Sequence, residues 1–131
     1  MNLKKTLDSG AVLEVTMAEF KIGHRLFKAV MQEIKDVNMP DGANVVNMIK
    51  DVATGLLSSE EVEAVLWECM GRATYNNQKV NPSLFEDEGI REDYLVVAKE
   101  VLVFNLTPFI KNLSFLLLDM QEKITAIRKP K

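Results

Sequence analysis

A chain of 131 residues is long enough for one domain whose core buries about two-thirds of the unfolded surface. An apolar content of 47% with 27% charged residues excludes wholesale disorder, and a net charge of −3 gives no overall case for nucleic-acid binding. The single cysteine, Cys69, excludes an internal disulfide and fits a reducing compartment. The sequence shows neither a signal peptide nor an apolar run that could span a membrane, so we expect one soluble cytoplasmic domain, 1–131.

The N-terminal segment, 1–17, predicts a β-hairpin. Apolar residues alternate with others on both sides of an Asp-Ser-Gly cluster, which is typical of two strands joined by a turn. The alternating positions are Leu3, Leu7, Leu13, Val15 and Met17. A two-stranded ribbon alone is only marginally stable, so we expect it to pack on helices or to pair with another subunit.

Beyond residue 18 the apolar residues recur at steps of three and four, which favours helices. The "NMPDG" turn ends the first helix, and Ser58 and Ser83 each precede a glutamate at capping-box spacing. Thr107-Pro108 is typical of an N-cap followed by the first helical position. The predicted helical segments are 18–36, 43–57, 59–73, 84–106 and 108–128, with "TYNNQKVNPS" as a polar loop. The expected fold is therefore mainly α: a short N-terminal β-hairpin followed by a bundle of about five helices.

The acidic stretch "EDEGIRED", 86–93, raises the question of a metal or acid–base site. It lacks the alternating Asp/Asn pattern and distal glutamate of a calcium loop, and adjacent residues on one helix cannot converge as an acid–base pair. Carboxylates in the first turn of a helix complement the helix dipole, and Asp87 precedes Arg91 at the favourable four-residue spacing. We therefore interpret the stretch as a helix start, with an exposed acidic patch for a basic partner as the alternative.

The sequence shows no other convincing chemical site. His24 and Cys69 could form a nucleophilic pair, but each lies on the apolar face of its own predicted helix, so core positions are the better interpretation. The glycines fit no phosphate-binding loop. The basic stripe Lys21, Arg25, Lys28 and Lys35 is flanked by acids and interpreted as a solvated helix face. We expect no cofactor, no metal and no enzymatic activity.

Surplus apolar residues are the more informative feature. Ile110, Phe115 and Leu118 lie off the main apolar stripe of the last helix, and Trp67 and Met70 lie beside that of the third. Such residues mark a protein–protein surface, since Trp and Met are favoured there. The alternative is that these residues close a compact bundle.

Three stretches, taken in order, resemble the tail assembly chaperones of long-tailed bacteriophages with non-contractile tails. They are "LDSGAVLEVTMAEFKIGHRLFKAVMQEIK", "SSEEVEAVLWECMGRATYNNQKVNPSLFEDEGIREDYLVVAKEVLVFNL" and "TPFIKNL", which together cover most of the chain. The most recognisable pieces are the strand pair leading into "MAEF", the "LWECMGRATYN" block and the "REDY…EVLVFNLTPF" block. None of these is a catalytic signature.

The resemblance implies a small, mostly helical protein that binds the tape-measure protein, keeps it soluble and helps recruit tail-tube subunits during tail morphogenesis. It implies self-association, a location in the cytoplasm of the bacterial host and absence from the virion. In many such phages a ribosomal frameshift near the end of the gene adds a second domain. The codons for the final "IRKPK" could contain such a site, and the longer form would contact the tail-tube protein.

The resemblance also marks fold-defining or contact positions: Trp67, Tyr75, Arg91, Tyr94, Asn105, Pro108 and Phe109. Combined with the surplus apolar surface, it predicts a groove for a partner helix. The candidate partner-binding residues are Trp67, Tyr75, Phe104, Phe109, Leu113, Phe115 and Leu116.

Three alternatives lead to different functions. A small helical regulatory adaptor would form a fixed dimer through its last helix. An enzyme built on His24 and Cys69 would lose its activity when the thiol is removed. A nucleic-acid binder using the basic stripe would lose affinity steeply with salt.

Overall fold

The chain is described by a computed structural model over residues 2–34 and 55–110. In chain order the elements are β1 (Asn2–Thr6), β2 (Val12–Thr16), α1 (Phe20–Ile34), α2 (Glu60–Met70), β3 (Ala73–Tyr75), β4 (Gln78–Lys79), a 3-10 helix (Pro82–Glu86), α3 (Glu88–Arg91) and α4 (94–110). The strands form one antiparallel sheet in the order β1-β2-β3-β4. Sheet and helices share one core, so the described fold is mixed α/β.

The predicted N-terminal hairpin is present. β1 pairs with β2 over its whole length, from Asn2 opposite Thr16 to Thr6 opposite Val12. The turn closes through Leu7, whose N–H donates to the Ala11 carbonyl and whose carbonyl accepts from the Gly10 N–H, both at 2.8 Å. Gly10 has a φ of 91°, a left-handed conformation that a three-residue hairpin loop needs and that glycine adopts without strain.

A second hairpin, β3–β4, overturns the prediction of a mainly α bundle. It begins at Ala73, the last residue of the predicted helical segment 59–73, and otherwise lies in "TYNNQKVNPS", which we interpreted as a polar loop. Asn76 and Asn77 form its turn with φ values of 48° and 66°, and asparagine tolerates this left-handed geometry better than most residues. β3 then pairs with β2, with Leu13 opposite Tyr75. These strands are too short to show a period of two, so the helical pattern on either side dominated the prediction.

The core lies between the inner face of the sheet and three helices. Leu13 and Val15 of β2 are fully buried, and α1 packs against α2. The three helices are α1, α2 and α4. Their large buried side chains include Leu26 and Val30 (α1), Leu66 and Met70 (α2), and Leu102 and Leu106 (α4). The apolar stripes read from the sequence therefore face one another.

Helix boundaries differ from the predicted ones at several points. Ser59, not Ser58, caps α2, and its hydroxyl accepts from the Val62 N–H. Ser83 lies inside the 3-10 helix, whose cap is Asn81. The predicted segment 43–57 lies outside the described residues up to 54, and 108–128 lies outside them from 111 onward.

α4 runs through Thr107-Pro108 without the predicted break. Proline lacks the N–H that would bond the carbonyl four residues earlier, and in a helix interior it costs about 3 kcal/mol. Pro108 lies on the exposed side of the helix. The Thr107 hydroxyl donates to the Val103 carbonyl at 2.7 Å. Burial of the face bearing Leu106 and Ile110 outweighs the local helix-start signal.

Candidate protein-binding surfaces

The acidic stretch contains a helix cap, as predicted. The Asp87 carboxylate accepts from the backbone N–H groups of Gly89 at 2.9 Å and Ile90 at 3.3 Å, and so begins α3. Arg91 contacts residues other than Asp87. Its Nε donates to the Phe85 carbonyl at 2.9 Å, and its Nη2 lies 3.5 Å from the Glu86 carboxylate. The expected pair with Asp87 is replaced by these two contacts.

Asp93, the last residue of the stretch, has a structural role that the sequence did not reveal. Its side chain is buried and accepts from the Tyr75 hydroxyl at 2.6 Å and the Ser9 hydroxyl at 2.5 Å. These contacts join the turn of the first hairpin, β3 and the segment before α4. Burial, together with the hydrogen bond to Asp93, raises the pKa of Tyr75 above its usual value. Tyr75 is therefore buried in this junction and offers little surface to a partner.

Asn105 forms a second polar link inside the core. Its side-chain oxygen accepts from the Ala18 N–H at 2.9 Å, and its amide nitrogen donates to the Val101 carbonyl at 2.9 Å. It thereby ties the segment before α1 to α4. Its place among the positions marked by the resemblance has a structural explanation.

An aromatic pocket lies between α2, the 3-10 helix and the start of α4. Tyr94 stacks on Trp67 at 6.0 Å between ring centroids, and Phe85 meets both rings edge-on. Together with Pro82, Glu86 and Arg91, these rings line a cavity of about 250 Å³. Trp67 thus fills space beside the core face of α2, as its position in the sequence indicated.

The Tyr94 wall of this pocket is held by a carboxylate. Its hydroxyl donates to Glu63 of α2 at 3.0 Å. Partial burial and this hydrogen bond to an anion raise the pKa of Tyr94 to about 12, because both disfavour the phenolate. The hydrogen bond to Glu63 positions the Tyr94 ring at the wall of the pocket.

A second aromatic group, the Phe20 cluster, comprises Phe20, His24, Phe27 and Phe109. His24 stacks on Phe20 with centroids 5.4 Å apart and lies 6.1 Å from Phe109, which stacks on Phe27 at 5.4 Å. Phe109 packs so closely on α1 that a Cβ at Gly23 would lie 3.3 Å from its ring. Phe20 itself is 73% exposed, the most exposed large apolar side chain of the described residues. The cluster therefore extends from the edge of the core to the protein surface.

The supposed pair of His24 and Cys69 has no support as a nucleophilic site. Cys69 is buried, and burial raises the pKa of its thiol to about 11 despite the opposing effect of Arg72. A neutral, buried thiol is not an activated nucleophile. The ring of His24 packs between aromatic rings.

The remaining predicted contact residues divide into two groups. Phe104 is half-buried on α4, whereas Leu113, Phe115 and Leu116 lie outside the described residues. α4 also exposes Leu95 at 52% and Val96 at 43%, which the sequence analysis did not single out. Their adjacency in a nearly all-apolar helix was the available signal.

Two further kinds of site are relevant to the described part of the chain, a metal-binding group and a membrane-spanning helix. Histidine, cysteine and carboxylate side chains in 2–34 and 55–110 form no group able to hold a metal ion. Within the same ranges, no helix combines the length and apolarity needed to cross a bilayer.

The exposed ring of Phe20 and the half-buried rings packed beside it form a contiguous apolar patch, which is typical of a protein-binding surface. A family model described as phage tail assembly chaperone protein, TAC, matches residues 10–117. The chain therefore belongs to the phage tail assembly chaperones, a non-enzymatic family, and the resemblance seen in the sequence is confirmed. No curated protein and no solved structure matches the chain.

Proposed function

We propose that this chaperone binds the phage tape-measure protein, keeps its apolar helical segments soluble and helps to recruit tail-tube subunits around it. The family supports a role in tail assembly with protein partners. The observation that carries the more specific proposal is the Phe20 cluster, where an aromatic ring is 73% exposed beside other aromatic side chains.

An exposed ring of this kind is costly to keep in water. Burying a phenylalanine side chain that is otherwise exposed contributes about 1.5–3 kcal/mol. Phe20 has a rigid support, because Phe109 lies 5.8 Å away between ring centroids and packs in turn on Phe27. An apolar face of a partner helix placed on this support would gain that contribution with little loss of side-chain entropy.

The remaining parts of the proposal are supported by the family resemblance and not by particular contacts. In this proposal the protein acts in the cytoplasm of the bacterial host, is absent from the finished virion and has no catalytic activity. It self-associates, and a frameshifted longer form contacts the tail-tube protein.

The test is co-expression of the tagged chain with the phage late genes, followed by affinity capture and mass spectrometry. The expected result is recovery of a very long helix-rich protein by the parent and by Leu95→Ser, and its loss in Phe20→Ser. Both substitutions replace an exposed apolar residue, and circular dichroism establishes that both variants are folded, since Phe20→Ser also removes the ring contacts with His24 and Phe109. Equal recovery by both variants would remove the Phe20 cluster from the interface, and recovery of no such protein by the parent would refute tape-measure binding.

The second candidate function is a regulatory adaptor that forms a fixed dimer through α4. The observation that favours it is the adjacent exposure of Leu95 and Val96 on that helix. Light scattering of the purified chain distinguishes the two functions. A discrete dimer that Leu95→Ser dissociates supports the adaptor, whereas larger assemblies unaffected by that substitution support the chaperone.

A further inference from the structure

We propose that the aromatic pocket is a second docking site, for a basic amphipathic helix of a partner protein. One large apolar side chain of that helix enters the pocket, and the lysines or arginines beside it face the acidic stretch. This site is separate from the Phe20 cluster. The inference rests on the proposed function only in taking a protein as the partner.

The size and lining of the pocket select the kind of occupant. Trp67, Phe85, Tyr94 and Pro82 provide an apolar surface, and the cavity of about 250 Å³ is smaller than the pockets that hold drug-sized ligands. A single leucine, methionine or phenylalanine side chain is a suitable occupant. Anchoring by one or two side chains is typical of helix-in-groove recognition.

The pocket is formed before any partner arrives. Arg91 fixes the 3-10 helix through the Phe85 carbonyl, Asn81 caps that helix, and Glu63 holds the Tyr94 hydroxyl. Such preorganisation lowers the entropy lost on binding. These contacts hold the three packed rings in place.

Charge selects between partners. Glu86 lines the pocket, Glu63 lies behind Tyr94, and Glu88 and Glu92 are exposed on the segment that forms one wall. Arg91 is the single cation among the lining residues, and Glu86 already lies 3.5 Å from it. Asp87 adds a further carboxylate to this wall, although it also caps α3. The excess of negative charge favours a partner segment rich in lysine or arginine and disfavours an acidic one.

The chain carries its own reporter for this pocket. Trp67 is the only tryptophan, so its fluorescence reports on the pocket and not on the Phe20 cluster. The probe is a synthetic amphipathic helical peptide of leucine and lysine, compared with one in which glutamate replaces every lysine. We expect the lysine peptide to change Trp67 emission with an affinity at least about tenfold higher than that of the glutamate peptide.

Charge variants then locate the site. The triple variant E86Q, E88Q and E92Q should weaken the lysine peptide about tenfold, and added salt should remove most of the difference. The matched control D8N, E14Q and E19Q removes the same number of exposed carboxylates elsewhere and should bind like the parent. Circular dichroism establishes that both variants are folded.

Several outcomes would overturn the inference. They are equal affinity for the two peptides, binding without a change in Trp67 emission, and equal weakening by the two triple variants. Emission that changes with protein concentration alone would assign the pocket to a second copy of this chain and also overturn it.

The same variants separate this inference from the proposed function. Tape-measure capture that survives in E86Q, E88Q and E92Q, combined with peptide results that fail, refutes the second site and leaves the proposed function standing. Peptide binding as expected, without tape-measure capture by the parent, refutes the proposed function and leaves the second site standing.

Discussion

The two tyrosines of this protein make the same bond in different surroundings. Tyr75 donates to Asp93 at 2.6 Å inside the core, and Tyr94 donates to Glu63 at 3.0 Å beside an open pocket. The first bond joins parts of the chain that are distant in sequence and is largely shielded from water, whereas the second positions one wall of a surface pocket. The comparison teaches that burial, and not the chemistry of the pair, decides whether a tyrosine–carboxylate bond stabilises the fold or shapes a binding site.

The largest expected effect comes from removing the buried carboxylate. Asp93→Ala leaves the Tyr75 and Ser9 hydroxyls without their acceptor, and we expect the free energy of unfolding in urea to fall by about 3 kcal/mol. Asp8→Ala is the control, because Asp8 is an exposed carboxylate in the turn beside Ser9. Its expected change is within about 0.5 kcal/mol. Similar losses in the two variants would show that Asp93 is not the junction.

A smaller effect is expected at the donor of the same junction. Tyr75→Phe keeps the ring in the core and leaves Asp93 with the Ser9 hydroxyl as its remaining side-chain donor. The unfolding free energy should fall by about 1.5 kcal/mol, since the bond is to a charged group. Ser9→Ala, made in the Tyr75→Phe background, checks whether the two bonds act together. A combined loss greater than the sum of the single losses is the expected result.

Alkaline titration sharpens the comparison at Tyr94. In Tyr75→Phe the remaining tyrosine is Tyr94, so the phenolate absorbance of the folded protein should rise around pH 12. The folded pKa lies above the ordinary value of 10.0, so the folded state holds its proton more tightly. Stability from this group is therefore fully present below pH 10 and is lost as pH rises towards 12. A midpoint at the ordinary value, with the chain still folded, would contradict the bond to Glu63.

The smallest effect is expected at Tyr94, the half-buried tyrosine beside the pocket. Tyr94→Phe removes the bond to Glu63, but water can solvate the carboxylate that remains, so the unfolding free energy should fall by about 0.5 kcal/mol. Its matched control is Glu63→Gln, which keeps an acceptor and removes the charge. A loss as large as that in Tyr75→Phe would mean that the aromatic pocket is part of the core.

Parts of the fold and of the candidate sites were predictable from local patterns. The hairpin follows from alternation around Asp-Ser-Gly, the apolar faces of α1 and α2 follow from the helical period, and Asp87 follows from the preference of carboxylates for helix starts. Trp67 was singled out as a surplus apolar residue and Phe109 as a candidate contact residue, and both lie half-buried in aromatic groups. Met70 and Ile110, also named as surplus, are buried in the core.

Other features depend on contacts between distant residues. Asp93 looked like one more surface carboxylate, and only the approach of Ser9 and Tyr75 makes it a buried acceptor. Phe20 and His24 form an aromatic cluster only because Phe109, which lies far along the chain, packs against them. The spacing of residues within a short segment cannot predict such contacts between distant segments.

Local sequence patterns were enough to predict one hairpin and the apolar faces of the helices, because each depends on residues close together in the chain. The family could also be recognised without a structure, because the match depends on the order of residues along 10–117. The tertiary structure decided that β3 and β4 extend the sheet and that α4 continues through Pro108. The three residues of β3 are too few to show a strand pattern in the sequence, and they become a strand because β2 offers unpaired backbone groups beside them. Likewise α4 tolerates its proline because burial of the helix face outweighs one missing hydrogen bond.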